Sequence, residues 1–175
     1  MAFRGPRRTA NGFDLSQSPS YMLRRCVQYA NDLFSQEPAA SELTKQQFTV
    51  LAAVEQNEGV SQTDLVSVTG IDRSTLAEMI RRMIEKGLLQ RERTESDARA
   101  NAVRLGPAGR KALRGARMAS EKVERALLSS LPAADRAKFS RMLSSIVAAA
   151  ESSGAHVESR AQRSQQARPP TLVLA

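Results

Sequence analysis

The stretch IDRSTLAEMIRRMIEKG, residues 71–87, decides the fold, and LLQRERTESDARANAVRL, residues 88–105, follows it at once. Apolar side chains recur in the first stretch at spacings of three and four, which places them on one face of a helix. They are Leu76, Met79, Ile80, Met83 and Ile84. The opposite face carries Ser74, Glu78, Arg81 and Arg82. Because hydroxyl and guanidinium groups bind base edges and phosphates, this helix is predicted to enter the major groove of DNA.

Short motifs mark the ends of the neighbouring helices. A capping box begins at Thr44, and Ser61 and Asp72 are N-cap residues of the next two helices. Gly87 follows the third helix, where a left-handed backbone commonly ends it. The second stretch quoted above then predicts two strands joined by a charged loop. Three helices followed by a hairpin indicate a winged helix-turn-helix with a two-stranded β-wing over residues 44–105.

Three further helices flank this module. The first is predicted over residues 19–35, and the last two follow the wing, beginning with Pro107 at a first helical position. Gly115 inside the long helix is expected to weaken it relative to Ala. All three helices carry apolar stripes that the small module cannot cover together. We therefore expect a mainly α fold in which residues 18–43 and 106–153 form a homodimerisation layer.

Both ends of the chain predict little structure. Residues 1–17 form a basic, Gly/Arg-rich stretch that we expect to be a flexible tail. Residues 154–175 are polar, rich in Arg and Gln, and predicted to be disordered. His156 lies in this second tail, so we expect it to be exposed and inert.

Composition favours a polyanionic partner and gives no sign of an enzyme. The 175 residues carry a net charge of +8 and a pI near 10.5, which favours nucleic acid. With one cysteine and one histidine, neither an intrachain disulfide nor a clustered zinc site is expected. No signal peptide or membrane-spanning run is found, which predicts a cytoplasmic protein without a membrane partner. No Gly-rich phosphate loop or Ser/His/Asp set suggests catalysis or a cofactor.

In this order of elements the chain resembles the MarR family of bacterial transcription regulators. The likeness covers roughly residues 19–152 and rests on Gly87-Leu88 at the end of the third helix, Asp97-Ala98-Arg99 in the wing, Val103-Arg104-Leu105 in the second strand, and Leu105-Gly106-Pro107-Ala108-Gly109. The family has Leu-Thr-x-x-Gly in the last motif. Gly106 stands where that Thr cap is usual, and we expect it to weaken the helix start slightly.

The resemblance implies a homodimer on a near-palindromic double-stranded DNA operator, with half-sites about 10 bp apart. Arg99 would be the wing-tip residue drawn to the minor groove, and Asp97 would hold it by charge pairing. The base and phosphate candidates on the third helix are Arg73, Ser74, Thr75, Arg81 and Arg82. Arg81 and Arg82 have the alternative of being an ordinary solvated helix face.

The resemblance also implies release by a small ligand. SPSYMLRRCVQYANDLF, residues 18–34, and the DRST segment look most like a branch linked to aromatic catabolism, whose effectors include aromatic acids and aromatic acyl-CoA thioesters. Candidate ligand contacts on the first helix are Tyr21, Arg24, Arg25, Gln28 and Tyr29. The two arginines are more typical of a solvated surface than of ligand contacts, and the two tyrosines are typical of a partly buried position.

Two other functions stay open. Cys26 lies on the apolar stripe of the first helix, which favours a small buried residue, although a reactive thiol there would make a redox-sensing repressor. A basic protein that coats DNA without sequence preference would bind through phosphates alone. RNA binding is less favoured, because an aromatic content of 4% supplies few stacking platforms.

Overall fold

The computed structural model describes residues 14–40, 42–57, 59–91 and 102–152. Asp97, Arg99 and His156, and both predicted tails except for residues 14–17, lie outside the described residues. The helices are α1 Pro19–Ser35, α2 Lys45–Gln56, α3 Gln62–Thr69, α4 Arg73–Glu85, α5 Pro107–Ser129 and α6 Ala133–Ser152. The strands are β1 Val60–Ser61, β2 Leu89–Arg91 and β3 Ala102–Leu105, and 3-10 turns lie at Leu15–Gln17 and Pro38–Ala40.

Side-chain caps begin the helices as the sequence predicts. Thr44 and Gln47 form the complete capping box of α2. The side chains of Ser18, Ser61 and Asp72 accept hydrogen bonds from backbone N–H groups in the first turns of α1, α3 and α4. Because these bonds satisfy N–H groups that have no partner inside the helix, they fix where each helix starts.

Helix α4 ends in a Schellman motif at Gly87. The backbone N–H of Leu88 donates to Met83 O at 2.8 Å, and that of Gly87 donates to Ile84 O at 2.9 Å. Gly87 has φ +68°, a left-handed conformation that a residue without Cβ adopts freely. The chain therefore turns sharply from the helix into β2, as the sequence predicts.

The sheet has three strands, one more than the predicted two-stranded wing. Antiparallel pairing joins β3 to both other strands in the order β1-β3-β2, with Val60 opposite Val103 and Leu89 opposite Leu105. Strand β1 has two residues, which is too short to show an alternating pattern. The sequence motif at this point, an N-cap at Ser61, is also present, so one residue both ends the strand and caps α3.

One hydrophobic core joins the winged module to α5. Side chains of α2, α3, α4 and the sheet pack with Leu113, Ala116 and Val123 of α5 and with Phe34 of α1. The module therefore covers the apolar face of α5 within one chain. Among the described helices, α1 and α6 expose the most large apolar side chains, whereas α3 and α5 expose one each, Val68 and Met118.

The start of α5 lies so close to the Gly87–Leu88 backbone that two glycines are required. A Cβ on Gly106 would lie 2.1 Å from Gly87 O, and one on Gly109 would lie 2.0 Å from Leu88 O. Gly106 provides no side-chain cap, as predicted, but its N–H donates to Leu88 O at 2.9 Å. The glycine at the usual Thr position is therefore a packing requirement as well as a weaker cap.

The outer helices expose apolar side chains. No residue of α6, which is described throughout, is buried, and Met142, Ile146 and Val147 are 57–58% exposed. In α1 only Phe34 is buried. Within the described ranges, none of the helices is long and apolar enough to cross a membrane.

Two expectations for α1 are wrong for the single chain. Cys26 is exposed rather than buried, and Tyr29 is 47% exposed rather than partly in the core. Both lie on a helix that packs against its own chain mainly through its C-terminal end. The apolar spacing identified a real stripe, but nothing within one chain covers most of it.

Candidate DNA-binding helix and ligand cleft

Helix α4 buries its apolar stripe and presents its polar face to solvent. Leu76, Ile80 and Met83 are at most 1% exposed, whereas Ser74, Arg81 and Arg82 are exposed. This division is the one that the sequence predicts. It leaves a polar helix face free to contact a partner outside the chain.

The first turn of α4 is held by Asp72. Its Oδ1 accepts from Thr75 N at 3.0 Å and from Ser74 Oγ at 2.7 Å. The Ser74 hydroxyl bond, followed by the bonds from Thr75, lowers the pKa of Asp72 to about 2 from its ordinary value of 3.8. Arg73, Ser74 and Thr75 are thus exposed on an ordered turn. In contacting DNA, Ser74 would exchange its hydrogen bond to Asp72 for one to the nucleic acid.

The two central arginines of α4 are paired with glutamates of the same helix. Arg81 Nη2 lies 2.7 Å from Glu78 Oε1, and Arg82 Nε lies 2.8 Å from the same oxygen. Arg81 also pairs through Nη1 with Glu85. Hydrogen bonds from Arg81 and then from Arg82 lower the pKa of Glu78 to about 2, while Glu78 raises the pKa of Arg81. Both arginines are therefore exposed, yet neither is an unpaired cation.

The described part of the wing adds two exposed arginines that the sequence analysis did not name as DNA-contact candidates. Arg91 ends β2, and Arg104 lies on β3 opposite Gln90. The alternation of β3, with Val103 and Leu105 buried and Arg104 exposed, was available in the sequence as a signal. Asp97 and Arg99 lie outside the described residues.

A cleft of about 560 Å³ lies where α1 approaches the start of α4. Its walls come from α1, α2 and the segment joining α3 to α4, and are formed by Val27, Ala30, Asn31, Lys45, Gln46, Thr49, Thr69, Gly70, Ile71, Asp72 and Thr75. A second cleft of about 370 Å³ shares Asn31, Lys45 and Gln46 with it. Among the described residues of the larger cleft, Lys45 is the one cation.

Lys45 connects three helices at the edge of both clefts. Its Nζ donates to Ser120 Oγ at 2.8 Å and to Glu124 Oε1 at 3.1 Å, both on α5. It also lies 5.5 Å from the ring centroid of Phe34 and 5.3 Å from that of Phe48. The side chain of Lys45 is only 17% exposed. Glu124 already pairs with this cation, so a carboxylate that enters the cleft would have to share Lys45 with Glu124 or replace it.

The predicted ligand residues of α1 do not line these clefts. Tyr21, Arg24, Arg25, Gln28 and Tyr29 are absent from the described walls, to which α1 instead contributes Val27, Ala30 and Asn31. Gln28 Nε2 donates to Asp32 Oδ1 at 2.8 Å on the exposed surface. Lys45 and Asn31 were missed because their proximity depends on how α1 packs against α2. In the described ranges, no group of three or more His, Cys, Asp or Glu residues could hold a metal ion.

Known proteins resemble this chain in sequence and in fold. Residues 41–100 match the MarR family. The transcriptional regulator HosA of Escherichia coli is 32% identical over 102 residues, which are 58% of this chain and 76% of HosA.

Two solved structures share the fold with TM-scores of 0.68 and 28% identity. One is the PcaV transcriptional regulator of Streptomyces coelicolor in complex with its natural ligand, which matches over 79% of this chain and 98% of PcaV. The other is BpsR of Bordetella bronchiseptica, whose DNA binding is regulated by 6-hydroxynicotinic acid. It matches over 78% of this chain and 97% of BpsR.

Proposed function

Because this chain belongs to the MarR family, we propose that it is a homodimeric repressor that leaves its operator when an aromatic acid binds. Membership alone makes it a DNA-binding transcription regulator and not an enzyme, as the sequence predicted. The proposal adds the homodimer, the near-palindromic operator, the sign of regulation and the class of effector. It also adds control of aromatic-compound catabolism.

The exposed polar face of α4 carries the DNA-binding part of the proposal. Arg73, Ser74 and Thr75 occupy its first turn, which is the part of a recognition helix that meets base edges. Arg81 and Arg82 follow about two turns later, within reach of bases or phosphates. Outside the described residues, Arg99 is the proposed minor-groove contact, with Asp97 as its charge partner.

The exposed apolar faces of α1 and α6 support the homodimer. Met22 and Val27 on α1 are 46% and 60% exposed, and Ile146 on α6 is 58% exposed. Large apolar side chains exposed on two helices favour a protein contact there. A second copy would cover both helices, and its α4 would occupy the matching half-site of a near-palindrome.

The cleft beside α4 supports an aromatic acid as the effector. Asp72 and Thr75, which form the cap of α4, are part of its wall, so a ligand there contacts the start of the recognition helix. Lys45 supplies a positive charge, and a volume of about 560 Å³ is within the ordinary range for small-molecule sites. Regulation of the similar BpsR by 6-hydroxynicotinic acid supports the same class.

Five exposed or partly exposed residues of α1 are still proposed as additional ligand contacts. They are Tyr21, Arg24, Arg25, Gln28 and Tyr29. They lie on the same helix as the cleft residues Val27 and Asn31 but outside the described walls. An acyl-CoA thioester, being longer than an acid, would reach such surface positions on α1. The acid and its thioester are therefore compared as separate ligands in the test.

Calorimetric titration and release from DNA test the proposed effector. Benzoate, cinnamate, 6-hydroxynicotinate and the CoA thioesters of the first two are titrated into the protein and into its operator complex. We expect one acid to bind and to lower operator affinity. Lys45→Met should weaken that binding about tenfold or more, because a charged hydrogen bond is lost.

Lys122→Met is the matched control for Lys45→Met. Lys122 is an exposed cation of α5 that pairs with Glu37, and it is not part of either cleft wall. Acid binding should therefore be unchanged. Equal losses of acid affinity in both variants would show that Lys45 acts only through net charge. If none of the compounds binds, an aromatic acid is not the effector.

A second candidate function follows from the exposure of Cys26. An exposed thiol is open to oxidants, which is one requirement for a redox-sensing repressor. The discriminating experiment treats the operator complexes of the native protein and Cys26→Ser with peroxide. Release of both proteins excludes Cys26 as the sensor, whereas release of the native protein alone establishes this second function.

A further inference from the structure

Glu78 occupies the centre of the exposed face of α4 and binds both neighbouring arginines. Arg81 Nη2 and Arg82 Nε each donate to its Oε1, at 2.7 and 2.8 Å. Arg81 Nε donates to Oε2 at 2.9 Å. Both carboxylate oxygens of Glu78 are therefore held, and the side chain has one defined position.

This arrangement is poor for attraction to phosphates in general. Two of the three arginines of α4 are neutralised by its two glutamates, so its exposed face carries little net charge. A carboxylate beside DNA is also repelled by the phosphates. Sequence-independent attraction must come mainly from the rest of the chain, because the net charge of +8 belongs to the whole chain and α4 contributes little of it. Helix α4 is better suited to distinguishing bases than to binding the backbone.

A glutamate at this place binds tightly only where DNA offers it a hydrogen-bond donor. In the major groove the donors are the amino groups N4 of cytosine and N6 of adenine, whereas guanine N7 and O6 and thymine O4 are acceptors. Adenine also presents its acceptor N7 beside N6, and N7 repels a carboxylate, so cytosine N4 is the better partner for Glu78. An acceptor facing a carboxylate leaves two desolvated groups without a proton between them. Glu78 lies one turn after Ser74, close to the N-terminal part of the helix that meets base edges.

We propose that Glu78 determines sequence specificity by accepting a hydrogen bond from one cytosine in each operator half-site. This inference rests on the proposed binding of a specific operator. Arg81 and Arg82 hold the carboxylate in place, so little side-chain entropy is lost when it contacts the base. The low pKa of Glu78, about 2, keeps the carboxylate ionised and accepting at any pH at which duplex DNA is stable.

Selection from a randomised duplex library tests the assignment with the full chain. Binding sites are selected by the native protein, Glu78→Gln, Glu78→Ala and Glu85→Gln, and the preferred base is determined at each position. Glu85→Gln is the matched control, because it removes the same charge from the same helix and also removes an ion-pair partner of Arg81. Glu85 lies two turns further from the N-terminus of α4.

The native protein and Glu85→Gln should prefer cytosine at one position of each half-site. Glu78→Ala should lose that preference alone, and Glu78→Gln should favour adenine there, because Gln forms paired hydrogen bonds with adenine. Replacing that C·G pair should weaken native binding about tenfold or more, and binding of Glu78→Ala about twofold or less. Thermal melting of each variant confirms that it is folded.

Two results would overturn the assignment. In one, both Glu78 variants select the same bases as the native protein. In the other, Glu78→Ala and Glu85→Gln lose the same preference, which would make both glutamates general charge effects. If the native protein itself selects no common sequence, the proposed operator binding fails instead, so the two failures are distinguishable.

Discussion

Helices α4 and α6 expose opposite kinds of surface. Helix α4 buries Leu76 and Ile80 against its own chain and exposes a face of hydroxyls and ion-paired arginines. Helix α6 buries nothing and exposes Met142 and Ile146. The first surface is complementary to a polar, charged partner and the second to an apolar one. The contrast teaches that one chain exposes two different kinds of surface. The polar one belongs to a helix packed within the chain, and the apolar one is covered by none of the described residues.

The largest expected effect comes from the buried side of α4. Leu76→Ala should lower the free energy of unfolding by about 2–5 kcal/mol, because it leaves a cavity beneath a side chain that is 1% exposed. Urea unfolding at several protein concentrations measures it. The loss should be the same at each concentration, since Leu76 packs within one chain. A loss that disappears in concentrated protein would contradict the division between α4 and α6.

Helix α6 should respond in the opposite manner. Ile146→Asp places a charge on its exposed apolar face, and we expect the Kd of the dimer to rise about 100-fold or more. Sedimentation equilibrium measures the Kd. Ser144→Asp is the control, because it adds the same charge on the other side of the helix. A native protein that remains monomeric at all concentrations would remove the proposed role of α6.

Helix α5 lies between α4 and α6 in the sequence, and its Gly109 and Gly115 should respond to Ala in opposite ways. Gly109→Ala should lower the free energy of unfolding by about 1–3 kcal/mol, because its Cβ would meet Leu88 O at 2.0 Å. Gly115→Ala should raise it by about 0.5–1 kcal/mol, since the nearest atom to a Cβ there is 3.8 Å away. Urea unfolding of the two variants should give shifts of opposite sign. Stabilisation by both would disprove the close approach at Leu88.

The smallest effect is a pH dependence at the start of α4. The pKa of Asp72 is lowered from 3.8 to about 2, so its ionised form stabilises the folded chain. That contribution is complete above pH 3.8 and is lost as the pH falls through about 2. Asp72→Ala should lower the Tm by about 2–4 °C at pH 7. Asp72→Asn, which keeps an oxygen acceptor at the N-cap, should cost less.

Thermal scans at several pH values check the sign for Asp72. The difference in Tm between the native protein and Asp72→Ala should be constant from pH 7 to about pH 4 and shrink below it. A difference that grows on acidification would mean that the carboxylate does not stabilise α4. No such trend is expected for Ser144→Asp on the exposed side of α6.

The sequence determined the helices and the polar face of α4, because caps and apolar spacing act within a few residues of each other. Thr44, Ser61 and Asp72 bond to backbone N–H groups three residues away, so their roles are visible in the sequence alone. The alternation of buried and exposed residues along α4 is equally local. The family resemblance rested on these same local features.

Only the tertiary structure decided the features that depend on contacts between distant segments of the chain. Strand β1 exists because β3 pairs with it, and Gly106 is required because the Gly87–Leu88 backbone lies against α5. Lys45 becomes the cation of a cleft only where α1, α2 and α5 meet, through bonds to residues 75 and 79 positions away. A sequence pattern reports which face of an element is apolar. The three-dimensional packing of the whole chain determines which segment, if any, covers that face.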